Sequence, residues 1–232
     1  MLRVKNESRW IEEVITSLKR LCDPIIVMDD GSEDSTAAIC AANGAIVYQS
    51  PYSDLNEARD KDWLLLKVEQ HCAAGTWVLC IDGDEVLEEA GPAKIKAVIA
   101  NRGAEAYTFK ILYLWDSRHS VRVDGVYSRF YRPSMFRLQH GMSFQRTDAS
   151  GNLHCSSVPA ACIGRCEQTD IRLLHLGYML RSDRLRKYDW YTRIDGQNQA
   201  EDGYRHMVIG DIFPATSAFV HAGPLKLEAL HG

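Results

Sequence analysis

Apolar and polar positions in the first hundred residues alternate between two periods. Short apolar runs at Leu2 to Val4, Ile25 to Met28 and Ala45 to Tyr48 stop abruptly at polar residues, as buried strands do. Between them, Trp10, Ile11, Val14, Ile15, Leu18 and Leu21 recur near every 3.6 residues and predict a helix over Trp10 to Arg20. A second helix is expected from Ser35 to Ala42, capped by Ser35 or Asp34. A third follows the loop Gln49 to Leu55 and runs through Trp63, Leu64, Leu65 and Val68 to Cys72. The chain then enters Thr76-Trp77-Val78-Leu79-Cys80, read as a buried parallel strand. Strands alternating with helices imply right-handed crossovers and a mostly parallel sheet flanked by helices, an α/β fold of Rossmann-like kind.

Beyond Gly91-Pro92 a helix is expected from Ala93 to Asn101, then a long apolar stretch from Tyr107 to Trp115, after which the alternation is less regular. No Ser/Gly/Pro linker, repeat or low-complexity tract divides the chain, so residues 1–232 read as one domain with a first part ending near residue 90. A chain of 232 residues is long enough for a sizeable core. Its formal net charge of −4 offers no general attraction to nucleic acid or an anionic membrane, so phosphate recognition has to come from local basic groups. No apolar stretch approaches the roughly 20 residues of a membrane span, and no signal-peptide core opens the chain, so a soluble cytoplasmic protein is expected. The seven cysteines include Cys40 in a helical pattern and Cys80 in a strand, which suits reduced core thiols better than a disulfide framework.

Candidate chemistry lies at the strand ends. The run to Cys80 finishes in Ile81-Asp82-Gly83-Asp84-Glu85, and the carboxyl ends of strands are where open α/β sheets place ligands. Hard carboxylate oxygens suit Mg²⁺ or Mn²⁺, and an ion held this way can bridge the phosphates of a nucleotide. By itself an Asp-Gly-Asp is equally an ordinary turn. The same grammar occurs earlier, however, in Ile25-Ile26-Val27-Met28-Asp29-Asp30-Gly31-Ser32.

Val27-Met28-Asp29-Asp30-Gly31-Ser32 with Asp34-Ser35-Thr36, followed by Asp82-Gly83-Asp84, resembles the nucleotide-sugar half of inverting glycosyltransferase family 2, which has the GT-A fold. Leu2-Arg3-Val4-Lys5-Asn6-Glu7 is similar to that family's first strand and turn, and Glu57-Ala58-Arg59-Asp60 to its Ala-Arg-Asn helix start. The four motifs keep the family's order over residues 1–90. The resemblance implies a nucleoside-diphosphate sugar donor, with UDP-sugars favoured, and Mn²⁺ or Mg²⁺. It implies that Asp30 contacts the nucleoside, that main chain near Arg3 and Val4 lines the base pocket, that Arg59 reaches the nucleotide, that Asp82 approaches the ribose or sugar, and that Asp84 binds the metal.

The second part should hold the acceptor side. Inverting transfer needs a general base for the acceptor hydroxyl, and a carboxylate serves. Asp124 in Arg122-Val123-Asp124-Gly125 is the first choice, although Asp-Gly is also a hairpin turn. His154 is the second. Gly151-Asn152-Leu153-His154-Cys155 resembles the family's His-Glu segment, but Cys155 stands where the glutamate would. Leu173-Leu174-His175-Leu176-Gly177 resembles the late His-x-Gly of metal-dependent GT-A enzymes, which makes His175 a second metal ligand; a core histidine is the plain alternative. Ser182 or Asp183 is read as capping a helix whose Arg181 and Arg184 would face the diphosphate, unless they are ordinary surface charges. Glu201, Asp202 and His206 form a further cluster with no assigned role.

Three other readings compete. His154, Cys155, Cys162 and Cys166 could be weighed as a zinc site, but the paired C-x-x-C form is missing. A sugar nucleotidyltransferase normally carries a Gly-rich basic loop after its first strand, and Lys5-Asn6-Glu7-Ser8-Arg9 is not one. A nucleotide-sugar-binding protein without turnover would share the donor motifs. The acceptor, whether glycan, lipid-linked, protein or modified nucleic acid, and the oligomeric state are not legible in the sequence.

Overall fold

The structure, a computed structural model, describes residues 1–100, 104–144, 155–195 and 202–230. The chain forms two compact units, Met1–Phe109 with Tyr131–Arg172, and Lys110–Phe130 with Leu173–Gly232.

The first unit opens with the expected alternation: β1 (Leu2–Val4), α1 (Ile11–Lys19), β2 (Ile26–Asp29), α2 (Thr36–Ala42), β3 (Ile46–Gln49), α3 (Glu57–His71), β4 (Trp77–Leu79), β5 (Glu85–Leu87) and α4 (Gly91–Ala100). The periodic face of α1 is buried throughout at Ile11, Val14, Ile15 and Leu18. Each such side chain contributes roughly 1.5–3 kcal/mol by leaving water, which is why a nine-residue helix of modest propensity holds. Strands β1, β2 and β3 pair in parallel, with Leu2 opposite Val27 and Ile26 opposite Ile46. Their buried side meets α3 and β4 in a core that includes Ile26, Met28, Leu64, Leu65, Val68, Val78, Phe136 and Phe144.

Two expectations change here. Strands β1, β2 and β3 are parallel as expected, but the strand that leads to Asp82 is not part of that parallel set. Strand β4 pairs antiparallel with β8 (Tyr131–Arg137), Val78 opposite Phe136, so the strand leading to Asp82 takes a neighbour from much later in the chain. A parallel neighbour requires a crossover, and no helix separates β4 from β5. The cap of α2 is also settled: Ser35 makes no side-chain cap, whereas Asp34 Oδ1 accepts from the Thr36 N–H at 2.9 Å.

The second unit takes in most of β6 (Ala106–Trp115), all of β7 (Ser117–Arg122), the end of β9 (Cys166–His175), α5 (Arg181–Asp195) and β10 (Leu227–Ala229). Strands β6 and β7 form a hairpin turning at Asp116, which adopts a left-handed φ of 61°, and β10 adds antiparallel to β7. Helix α5 begins at Arg181, with the Asp183 N–H already bonded to the Leu180 carbonyl at 3.0 Å. Ser182 and Asp183 therefore lie within its first turn instead of capping it. Asp124 does not sit in a two-residue hairpin turn. It precedes a short 3-10 turn over Gly125–Ser128, where Gly125 has φ 53° and an added Cβ would lie 2.2 Å from the His221 carbonyl oxygen.

Candidate functional site

The acidic ends of β2 and β4 converge on the end of β1. The Asp30 N–H donates to the Val4 carbonyl at 2.8 Å, and Gly83 packs so closely that an added Cβ would lie 2.9 Å from Val4 Cγ1 and 3.1 Å from Glu7 Cγ. The loops after β1 and β2 are stitched together. The Asn6 N–H donates to Ser32 Oγ, the Glu33 N–H to Asn6 Oδ1, the Glu7 N–H to Thr36 Oγ1 and the Ser8 N–H to Asp34 Oδ2, at 2.8–3.1 Å. Asn6 accomplishes this at φ 55°, a conformation that asparagine tolerates better than most residues. Asp34 reflects the same bonding: burial works against its charge, but hydrogen bonds from Thr36 and Ser8 outweigh it and hold the carboxyl down to about 2.

Beside this edge lies a chain of charged pairs. Arg3 reaches Asp30 at 2.6 Å and Asp60 at 3.1 Å. Asp60, whose side chain is 0% exposed, also accepts from Arg59 at 2.9 Å, and Arg59 continues to Asp54 and lies 3.7 Å over the Tyr52 ring. Asn56 caps α3 by accepting from the Arg59 N–H, which fixes where Arg59 leaves the helix. Burial raises the Asp30 carboxyl, with Arg3 pulling the other way. Asp30 and Arg59 are thus linked through Arg3 and Asp60. The main chain of Arg3 and Val4 pairs with β2, and it is the Arg3 side chain that joins the cluster. Asp60 was missed: its position in the Ala-Arg-Asn-like start was legible, but its role as a buried counter-ion between two arginines was not.

At the Asp-Gly-Asp turn, Asp82 pairs with Arg132 of β8 at 2.7 Å, and its side chain is 49% exposed. Glu85, whose side chain is 0% exposed, accepts through Oε2 from Arg132 and, at 2.9 Å, from the Asp82 N–H. Its Oε1 is buried with no hydrogen-bond partner. Burial, only partly offset by Arg132, pushes the Glu85 carboxyl up to about 7. Asp84 is 2% exposed. This oxygen-only donor set, with three carboxylates in four residues against one guanidinium and an orphaned carboxylate oxygen, fits a hard divalent cation. Among the described residues, no three His, Cys, Asp or Glu side chains come together in a group that could hold a metal ion, so most positions around a cation here would fall to ligand oxygens or water. Glu85 and Arg132 were not singled out from the sequence; Arg132 lies on a strand with no sequential link to the turn.

Asp124, His175, Arg181 and Arg184 belong to the second unit. Asp124 accepts from Arg122 Nε and Nη2, both at 2.9 Å, and from the Lys226 N–H at 3.1 Å, so both its oxygens are engaged and buried. The guanidinium of Arg122 also donates to the His206 carbonyl at 2.6 Å, and Tyr127 Oη meets His206 Nδ1 at 2.6 Å. The unplaced Asp202–His206 cluster thus resolves into His206 beside Arg122 and Asp124, while Glu201 lies outside the described residues. Arg184 is not the diphosphate ligand that its helix position suggests. At 2% exposure it donates to Asp211, Asp116 and the carbonyls of Tyr178 and Met179 and sits 4.2 Å over Trp115, leaving no face for a ligand. Arg181 keeps an exposed side chain near Asp211. His175 packs against Tyr113 and Tyr178, each 4.9 Å away, and those two rings lie 5.4 Å from each other; its Nδ1 accepts from the Gly177 N–H at 3.2 Å. His154 lies outside the described residues. Its neighbour Cys155 is tied to α3 through Glu57 and Lys61.

An α/β sheet with acidic strand ends gathered on β1, beside a basic and acidic cluster from α3, is the arrangement of a GT-A fold. The chain belongs to glycosyl transferase family 2, whose profile matches residues 2–152. It is 30% identical over 131 residues to an uncharacterized glycosyltransferase of Rickettsia bellii (strain RML369-C), covering 55% of this chain and 42% of that protein. It is 32% identical over 122 residues to the uncharacterized glycosyltransferase RP128 of Rickettsia prowazekii (strain Madrid E), covering 51% and 39%. The chain therefore spans less than half the length of these curated relatives. The crystal structure of S. aureus TarS shares the fold, with a TM-score of 0.51 at 16% identity over 88% of this chain and 42% of that one. No helix among the described residues is long and apolar enough to cross a membrane.

Proposed function

We propose that this chain carries the donor site of an inverting glycosyltransferase that moves a sugar from a nucleoside-diphosphate sugar to an acceptor hydroxyl with the help of Mn²⁺ or Mg²⁺. The observation that carries this reading is the contact of Gly83 with Val4 and Glu7, which gathers Asp30, Asp82 and Asp84 on one strand end. Asp30 and Arg3 hold the nucleoside, Arg59 lies at the nucleotide side of the same cluster, Asp82 faces the ribose or sugar, and Asp84 with water and diphosphate oxygens would hold the cation. The ion supplies Lewis acidity toward the departing diphosphate. In the second unit, Asp124 serves Arg122. The acceptor base then lies elsewhere, with His154 as the candidate that the sequence supplies.

UDP-, GDP-, CDP- and dTDP-sugars, each with and without Mn²⁺, test this in a thermal-shift assay, because a ligand that binds only the native state raises its melting temperature. One nucleotide class should raise it in a Mn²⁺-dependent way, and hydrolysis of that donor should follow. Binding with no hydrolysis or transfer would favour a sugar-nucleotide-binding protein; no shift with any donor would sink the proposal.

A further inference from the structure

Asp82, Asp84 and Glu85 place three carboxylates within four residues, and Glu85 and Asp84 are buried. Arg132 bridges the turn from β8. Nη1 donates to Asp82 Oδ2 at 2.7 Å, Nη2 donates to Glu85 Oε2, and the same Oε2 accepts the Asp82 N–H at 2.9 Å. The result is a closed ring that fixes both the side chain and the main chain of Asp82 and ties it to Glu85, with Gly83 and Asp84 between them. The two ends of this bridge differ. At Glu85 it offsets a buried charge, which the fold needs. At Asp82 the carboxylate is half exposed, where an ion pair adds little to stability, so that half of the bridge is better explained by geometry than by folding.

Resting on the donor-site reading above, we propose that Arg132 is a positioning residue for the cation-binding turn. By clamping Asp82 and Glu85 together it holds the turn in one conformation. The role depends on the forked guanidinium, because a lysine ammonium is a point charge without the fixed geometry to bridge two carboxylates in this way.

The experiment compares wild type with Arg132→Lys, Arg132→Gln and Asp84→Ala, following the Mn²⁺ concentration for half-maximal donor hydrolysis alongside the metal-free melting temperature. Arg132→Lys should melt close to wild type yet need about 10-fold or more Mn²⁺, the range seen when a residue supporting a metal ligand is lost. Wild-type Mn²⁺ dependence in Arg132→Lys would overturn the proposal. Should Arg132→Gln fail to fold, Arg132→Lys alone decides. If wild type shows no Mn²⁺-dependent hydrolysis, or Asp84→Ala retains it, the donor-site reading itself fails and takes this inference with it. If Asp84→Ala abolishes the dependence while both Arg132 variants match wild type, only the clamp is wrong.

Discussion

Gly83 stands where a side chain has no room. A Cβ at 2.9 Å from Val4 Cγ1 and 3.1 Å from Glu7 Cγ meets a short branched side chain and the stem of another, neither of which withdraws easily. Gly83→Ala should therefore lift the turn from β1 at a cost of about 1–3 kcal/mol, the range for overpacking, and the displaced carboxylates should weaken the Mn²⁺-dependent donor shift disproportionately. A melting curve with and without donor and Mn²⁺ checks this; an unchanged donor shift would show that the turn tolerates displacement. At this scale the sequence reveals residues whose meaning is local. Asp30, Asp82 and Asp84 end apolar runs and could be picked out for that reason. Asp60, Glu85 and Arg132 could not, because each acquires its role from a partner reached through the fold: Arg3 for Asp60, and β8 for the turn. The same blindness works in reverse for Arg184, which looks like a surface charge on a polar helix until Asp116 and Asp211 close on it.

Helix starts and strand runs follow from short-range periodicity, and α1, α2 and α3 lie close to where the pattern puts them. Strand partnership does not follow from it, since nothing in Trp77-Val78-Leu79 says whether its neighbour arrives by crossover or by return, and here β8 returns antiparallel. The start of α2 permits a test at the level of the element. Asp34 ties Thr36 and Ser8 together, and its carboxyl is held below the ordinary value of 3.8, at about 2. A depressed folded-state value means that its contribution is fully present above pH 3.8 and disappears as pH falls toward 2. Asp34→Ala should therefore melt lower than wild type at pH 7, by about the 1 kcal/mol typical of a lost cap, and the gap should narrow only below pH 3.8. A gap that stays constant through acid would assign the loss to packing instead of charge.

The first unit is assembled from two stretches of chain, and the acidic edge depends on both. Strand β4 takes its ladder from β8, Asp82 and Glu85 take their counter-ion from Arg132, Glu88 takes its own from Arg172 at 2.7 Å, and Asp62 of α3 holds Ser143 and Phe144. The four donor-side motifs end near residue 90 and by themselves suggest a self-sufficient nucleotide half. Removing residues 131–172 would expose β4 as an unpaired edge, leave Glu85 buried without Arg132 and leave Glu88 with Lys94 but without Arg172, and an uncompensated buried charge strongly destabilises a fold. Residues 1–109 expressed alone should therefore show no cooperative melt and no donor-induced shift, while the 232-residue chain shows both. Circular dichroism melts of the two chains with Mn²⁺ and the donor identified by screening decide it. A cooperative 1–109 that still binds donor would mean that the β1, β2 and β3 sheet with its helices is the folding unit, and that β8 is an addition to it.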